Sequence, residues 1–497
     1  MFISILYLCI FLATFNLTAP IMAEIYVVGE LGGSSQIASY NILFFGLGNA
    51  FSFPLARFLG RHFEKLSVLV KCLCFFFLAT IFCSIAKTFF LFVFFRFLAG
   101  VFSGVFFPLS MSLINEQLNE EQKTKAFNIL ALLTTITPVL GATVGGFLAY
   151  SYHWHWVFSL QLPLILFAIC FLSSHVKRNE QKGPLEKFDK IGYLSYLISI
   201  SSFLSFFCFG QELDWFRSSL LNTLLVIGIV FFIFFVLWEY SQENPFLNLK
   251  LFKNIYFSLS VFLLFFMTSA YFGMIILLTV WLHFDVNYTP IWISLLFFHM
   301  LIAGALLFLF MVKWIKKIHP LIPVLFAVCA FGYSCFYSTT FNVDVNFTRI
   351  AIARILAGFG LAFFLFPLFT LSLRSTPKEQ KEDGIALFQS IRLLASALGI
   401  SLYPTLWYRR QIFYHDRLGS SLTIYAEQTT EFFAKIRNFS SSPLESIALL
   451  EQALSKQASS LALADVFYFM GILMIFLFII SLAFFLKNRI DVRKREL

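Results

Sequence analysis

Residues 89–115 read FFLFVFFRFLAGVFSGVFFPLSMSLIN, with Arg96 as the single ionisable group. A bilayer core of ~30 Å is crossed by roughly 20 apolar helical residues, so this stretch is long enough to span a membrane. Lipid offers backbone groups no hydrogen bonds, and an isolated spanning segment must therefore be helical. Runs of the same kind occur near 3–27, 38–57, 67–86, 125–150, 156–174, 191–209, 219–238, 258–282, 290–312, 321–340, 349–373, 384–407 and 465–486. The expected fold is an all-α polytopic membrane protein with 14 spans.

Composition points the same way. Of 497 residues, 59% are hydrophobic and 12% charged, which excludes a water-soluble globule. The net charge of +10 is scattered singly through short loops, so a nucleic-acid partner is not expected. The charges sort by side instead. With the N-terminus in the cytoplasm, inner connections carry Arg57, Arg61, Lys65, Lys123, Lys125, Lys177, Arg178, Lys313, Lys316 and Lys317, and the tail carries Lys487, Arg489, Arg493, Lys494 and Arg495. Short outer loops hold only Lys87, Arg217 and Arg349. This positive-inside asymmetry predicts a multi-pass membrane protein with both termini cytoplasmic. No basic region precedes the first apolar run, which reads as a retained span rather than a cleaved leader.

Arg96-Phe-Leu-Ala-Gly100, followed by Pro108-Leu109, recurs as Arg354-Ile-Leu-Ala-Gly358 followed by Pro367-Leu368, and Gly100 and Gly104 are candidate gating and packing glycines. The repeat joins span 4 to span 12. An offset of eight spans predicts two parallel six-helix bundles with two helices inserted between them. The expected organisation is an N-terminal bundle over 1–176, inserted helices 7 and 8 with cytoplasmic linkers over 177–257, a C-terminal bundle over 258–487, and a basic tail over 488–497. A long periplasmic loop is expected at about 408–464, where Ile447, Leu450, Leu454 and Leu461 mark a short amphipathic helix.

An ionisable group inside a bilayer costs several kcal/mol, so its presence is by default a functional hypothesis. Counting along the helices puts Arg96 and Asn16 at one level, with Thr18 close by. Glu24 is the one carboxylate within a span and the candidate proton carrier. His299 near the middle of span 10 either relays protons or binds substrate, or else bonds a neighbouring helix. Arg392 lies in span 13, and Arg354 reads as snorkelling to the outer interface. This excess of arginine over carboxylate favours anionic or neutral amphiphiles as cargo. Glu212 and Asp214 read as a solvated outer loop. His153-Trp-His155-Trp reads as an interfacial aromatic belt, and two histidines with no third ligand in sight predict no metal. The sequence has no phosphate-binding G-x-x-x-x-G-K-[ST], no H-E-x-x-H and no nucleophile elbow. An enzyme, a cofactor and ATP-driven pumping are therefore not expected, and gradient-driven transport is.

Three stretches carry a resemblance: Tyr152-His-Trp-His-Trp-Val-Phe158, Glu212-Leu-Asp-Trp-Phe216, and Trp238-Glu239 through Asn244-Pro-Phe246 to Leu251-Phe-Lys253. In these the chain resembles the fourteen-spanner drug:proton antiporter family of the major facilitator superfamily, whose Emr-type members serve tripartite drug pumps. The resemblance implies a gating and packing motif in span 5, matched by Pro138, Gly141, Gly145 and Gly146, with Ala142 where the family has proline. It implies a cytoplasmic latch loop, matched by Arg57, Gly60 and Arg61 but lacking the acidic residue, so that lipid anchoring is an alternative. Arg96 and Arg392 match family arginines, whereas Asn16 stands where the family usually has aspartate. The implied function is proton-coupled export of hydrophobic or amphiphilic small molecules by alternating access, with a periplasmic adaptor and outer-membrane channel as further partners. Export of one specific metabolite or lipid, and a non-transporting scaffold of the same fold, are the alternatives.

Overall fold

The structure, a computed structural model, describes residues 1–32, 40–176, 188–210, 212–242, 245, 247–314, 318–377, 380–423, 427–436 and 443–496. Among them there are helices and no strand. The first bundle comprises α1 (Phe2–Thr18), α2 (Pro20–Leu31), α3 (Tyr40–His62), α4 (Lys65–Ser84), α5 (Phe89–Ser103), α6 (Phe106–Gln117), α7 (Glu120–Ser151), α8 (His155–Ser159) and α9 (Leu162–Ser173). Two inserted helices follow, α10 (Lys190–Phe209) and α11 (Ser219–Ser241). The second bundle comprises α12 (Ile255–Phe284), α13 (Pro290–Trp314), α14 (Leu321–Ser338), α15 (Phe347–Arg374), α16 (Lys381–Gly419), α17 (Glu427–Ile436) and α18 (Pro443–Glu496).

Thirteen stretches among the described residues are long and apolar enough to cross a membrane. The helix pairs α1–α2, α5–α6 and α8–α9 each make one crossing. The remaining expected span is α7, helical for 32 residues but strongly apolar only over Ile136–Ser151. Asn128 and the run Thr134-Thr135-Ile136-Thr137 dilute its first half. With 14 passes, both termini emerge on one face, called here the terminal face; the other is the far face.

Close helix approach sets the packing within each bundle, and the two bundles use matching contacts. A methyl group added at Gly100 of α5 would lie 2.2 Å from the Phe45 carbonyl oxygen of α3, and one at Gly358 of α15 would lie 2.4 Å from the Met300 carbonyl of α13. Likewise a methyl group added at Gly145 of α7 would lie 1.9 Å from the Ala19 carbonyl oxygen, and one at Gly399 of α16 would lie 2.0 Å from the Ser269 carbonyl oxygen of α12. Each second contact is the first moved along by eight spans. Only glycine lets backbones meet this closely. Gly141 packs under Thr18, Gly146 against Met22 and Ser294, and Gly104 against Asn49 and Ser52.

The seam between bundles is formed by α7 against α13 and α3 against α16. The inserted α10 covers α3 and α16 from one side. Its partner α11 turns Val226, Val230, Ile233 and Leu237 outward, as a lipid-facing helix does.

The far-face segment differs from the expected loop. Helix α16 continues to Gly419 and α18 begins at Pro443, so these two spans project together beyond the apolar zone as an antiparallel hairpin. Trp407 Nε1 donates to the Ser459 carbonyl at 3.0 Å, Tyr414 and Arg410 both bond Asp465, and His415 meets Glu451 at 2.7 Å. Polar residues on one helix side thus keep the pair zipped in water. The helix expected at 443–463 is the opening of this 54-residue helix, not an isolated element.

Candidate functional site

Proline has no N–H and breaks the hydrogen bond to the carbonyl four residues earlier. Pro20 therefore frees the carbonyl of Asn16, at the point where α1 gives way to α2. Arg96 fills that vacancy: its Nη1 donates to the Asn16 carbonyl at 3.1 Å and to the Asn16 side-chain oxygen as well. Its Nε donates to Asn41 Oδ1 on α3. The guanidinium lies 4.3 Å from the Phe45 ring centre and 5.7 Å from that of Phe158, positions that favour cation–π attraction. Asn16 in turn donates to Gln161 Oε1 at 3.2 Å, and Gln161 donates to the Val157 carbonyl at 2.8 Å. Asn16, Asn41, Arg96 and Gln161 are all buried. A proline kink, three side-chain amides and an arginine thus tie together spans 1, 2, 4 and 6.

This network contains no carboxylate. Glu24, on α2, is buried with its Oε1 unbonded and interacts electrostatically with Arg96. Glu24 and Glu212 both act on Cys208 of α10, which brings a second acid to the same region. Glu212 is not the solvated loop residue expected. Tyr40 Oη donates to Glu212 Oε2, Tyr40 packs edge-on to Phe209 at 4.8 Å, and Glu212 Oε1 is buried without a partner. Asp214 does face solvent, beside Arg217 and Arg409. The hydropathy dip at 210–218 conceals the inward carboxylate, because a turn that folds back looks like any polar turn in sequence.

The other candidates separate. Thr18 spends its hydroxyl on the Thr14 carbonyl of its own helix at 3.0 Å and packs under Gly141; it does not join the Arg96 network. Arg354 does not snorkel. It is fully buried, donates to Ser338 at 2.8 Å and lies 5.8 Å from the Phe467 ring centre, the counterpart in the second bundle of Arg96. His299 is not brought to the pathway: its Nδ1 bonds the Leu295 carbonyl of its own helix at 2.7 Å, its ring meets Phe347, and adjacent Phe298 is exposed on the lipid-facing side. The segment expected as a latch loop is the last turns of α3, which runs to His62. Gly60 there packs against Leu109 of α6, and the side chains of Arg57 and Arg61 lie outside the described residues.

Three small cavities follow the seam between the bundles. At the terminal face, one of about 110 Å³ is lined by Phe53, Leu109, Asn115, Leu373 and Ile385. Deeper, a space of about 20 Å³ lies among Met111, Thr134, Phe366, Gln389 and Arg392. A third, toward the far face, lies among Ile21, Gly46, Cys208, Leu393 and Ile400. Among the described residues Arg392 has neither hydrogen-bond nor ion-pair partner, and it is half-buried. Drug-sized sites occupy about 300–1,000 Å³, so the seam has to widen to admit such a cargo.

Comparison with known proteins settles the family. The profile of the Major Facilitator Superfamily matches residues 3–400. The chain belongs to the major facilitator superfamily. Among its relatives are the multidrug export protein EmrB of Escherichia coli K12, 25% identical over 97% of this chain and 94% of EmrB, and the fatty acid resistance protein FarB of Neisseria gonorrhoeae, 26% identical over 95% of this chain and 93% of FarB. A POT family transporter crystallised with 5-aminolevulinic acid superposes with a TM-score of 0.60 at 14% identity, over 97% of this chain and 95% of that one. That superposition carries the fold alone. The major facilitator architecture here is two six-helix bundles with α10 and α11 inserted.

Proposed function

We propose that the chain is a secondary exporter of hydrophobic and amphiphilic small molecules, anionic ones above all, working by alternating access and driven by protons. The observation that carries this reading is Arg392. It is a half-buried guanidinium without a partner among the described residues, bordering an apolar space on the seam where two bundles would part. A charge so placed is stabilised by a counter-ion. An amphiphile fits, with its anionic head on Arg392 and its tail among Phe107, Phe366 and Phe388. The cargo classes in the names of EmrB and FarB agree with this chemistry.

For coupling, Glu24 is the carrier and Arg96 the charge that discharges it, with Asn16 and Asn41 holding Arg96 in place of an aspartate. Residues 1–176 and 258–487 are the rocking halves and 177–257 the insert. The glycines at 141, 145 and 146 form the gating motif, and the end of α3 with Arg57, Gly60 and Arg61 forms a terminal-face latch. Positive-inside sorting supports a cytoplasmic terminal face in the inner membrane. The helical hairpin on the far face supports docking of a periplasmic adaptor leading to an outer-membrane channel.

The test is transport in proteoliposomes under an imposed pH gradient, with a lipophilic cation, a neutral drug, a weak-acid uncoupler and a fatty acid as cargo. Arg392→Ala should cut anion transport at least about tenfold, the loss of one charge-assisted contact of 1.5–3 kcal/mol, and Arg392→Lys should restore part of it. Glu24→Gln should abolish substrate-dependent proton movement. Faster transport of the cation than of the acids by the natural protein would overturn the anionic preference, transport of a single compound would favour the specific-metabolite reading, and no transport at all would favour the scaffold.

A further inference from the structure

The far-face turn after α7 carries His153 and leads into His155, the first residue of α8, and the fold brings Glu30, at the end of α2, to the same place. His153 Nδ1 lies 3.3 Å from His155 Nδ1 and 3.7 Å from Glu30 Oε2, and one donor atom from each of the three residues falls within 4.8 Å of the others. A zinc-like ion bound tetrahedrally at 2.0–2.1 Å has neighbouring ligand atoms about 3.3 Å apart, which is the spacing of the two imidazole nitrogens. All three side chains reach solvent in part, so an ion has an entry path. Trp154, fully buried between the histidines, donates its indole N–H to Glu30 Oε2 at 2.7 Å. Outer hydrogen bonds of this kind fix a ligating carboxylate and hold it in register.

We infer that Glu30, His153 and His155 form a binding site for one borderline divalent transition-metal ion, such as Zn²⁺ or Co²⁺, on the far face. Two imidazoles and one carboxylate select such ions over Mg²⁺ and Ca²⁺, which prefer all-oxygen shells. The fourth position is left to water. The site joins the far end of span 1 to the connection between spans 5 and 6. All three belong to one bundle, so the ion clamps that bundle without bridging the seam, and bundle rocking stays free.

The experiment uses full-length protein freed of any histidine tag, stripped with chelator and titrated with Co²⁺ in detergent. The expected result is one equivalent bound with the visible absorption of tetrahedral cobalt, displaced by Zn²⁺, together with a Zn²⁺-dependent rise in melting temperature. His153→Ala and His155→Ala should each remove the absorption and the thermal shift. Glu30→Gln keeps an acceptor for Trp154, so the fold is retained while the anionic ligand is lost, and affinity should fall at least tenfold. Absence of saturable one-to-one binding, or binding unchanged in the His155→Ala and Glu30→Gln proteins, would overturn the assignment.

Discussion

Gly145→Ala is the sharpest probe of how spans 1 and 5 are held. The new methyl would lie 1.9 Å from the Ala19 carbonyl oxygen and 2.6 Å from its carbon. Real contacts essentially never fall below 3.0 Å, so α7 and the α1–α2 junction must part by about 1 Å, and overpacking of this kind costs about 1–3 kcal/mol. Ala19 is three residues from Asn16, so the displacement also pulls the Asn16 carbonyl away from Arg96. Gly29→Ala is the control: nothing lies within 4 Å of its added methyl, and alanine gains about 1 kcal/mol over glycine in a helix. Thermal melts of both proteins in detergent, with transport in liposomes, provide the assay. Gly145→Ala should melt several degrees lower and lose transport, while Gly29→Ala should match or exceed the parent. A Gly145→Ala protein as stable and as active as the parent would refute the packing argument.

Two further outcomes follow from the kink and the network. Pro20→Ala returns an N–H that competes with Arg96 for the Asn16 carbonyl, so span 1 should straighten, with transport falling although stability changes by only about 0.5–1.5 kcal/mol, the net worth of one hydrogen bond; unchanged transport would remove the kink from the mechanism. Asn16→Asp turns the contact of the Arg96 guanidinium with a neutral amide into an ion pair that offsets a buried charge, so the melting temperature should rise and substrate-dependent proton uptake should increase; a lower melting temperature would show that the amide is needed for Gln161 instead.

The spans were readable because length and hydropathy are properties of a single segment, and Arg96 because one charge in 27 residues of apolar helix stands out by itself. What failed was azimuth. Counting residues gives the depth of Arg354 and His299 but not which way they face, so it predicts an interfacial position for the first and a central one for the second, where the fold buries Arg354 and ties His299 to its own helix. Three-body facts were also out of reach. Glu30 stands 124 positions from Trp154, and Glu212 reaches Tyr40 across 172, separations that no local pattern reports. The far-face hairpin escaped for a different reason: hydropathy sees a polar stretch, whereas α16 and α18 stay helical there because each gives the other its partners. Pro20 was visible throughout, and the signal available was the rule that a proline frees the carbonyl four residues back, which points directly at Asn16.

Helix α18 has no proline after Pro443 and runs unbroken for 54 residues, about 80 Å at 1.5 Å per residue. It is a stiff pointer rather than a tethered loop. If the second bundle tilts by about 10°, the pointer's far-face arm of about 30 Å sweeps its tip sideways by roughly 5 Å. Anything that grips the tip feels the state of the seam, and anything that holds the tip still brakes the turnover. Spin labels at the hairpin tip and on the terminal face would read that sweep as a distance change during transport.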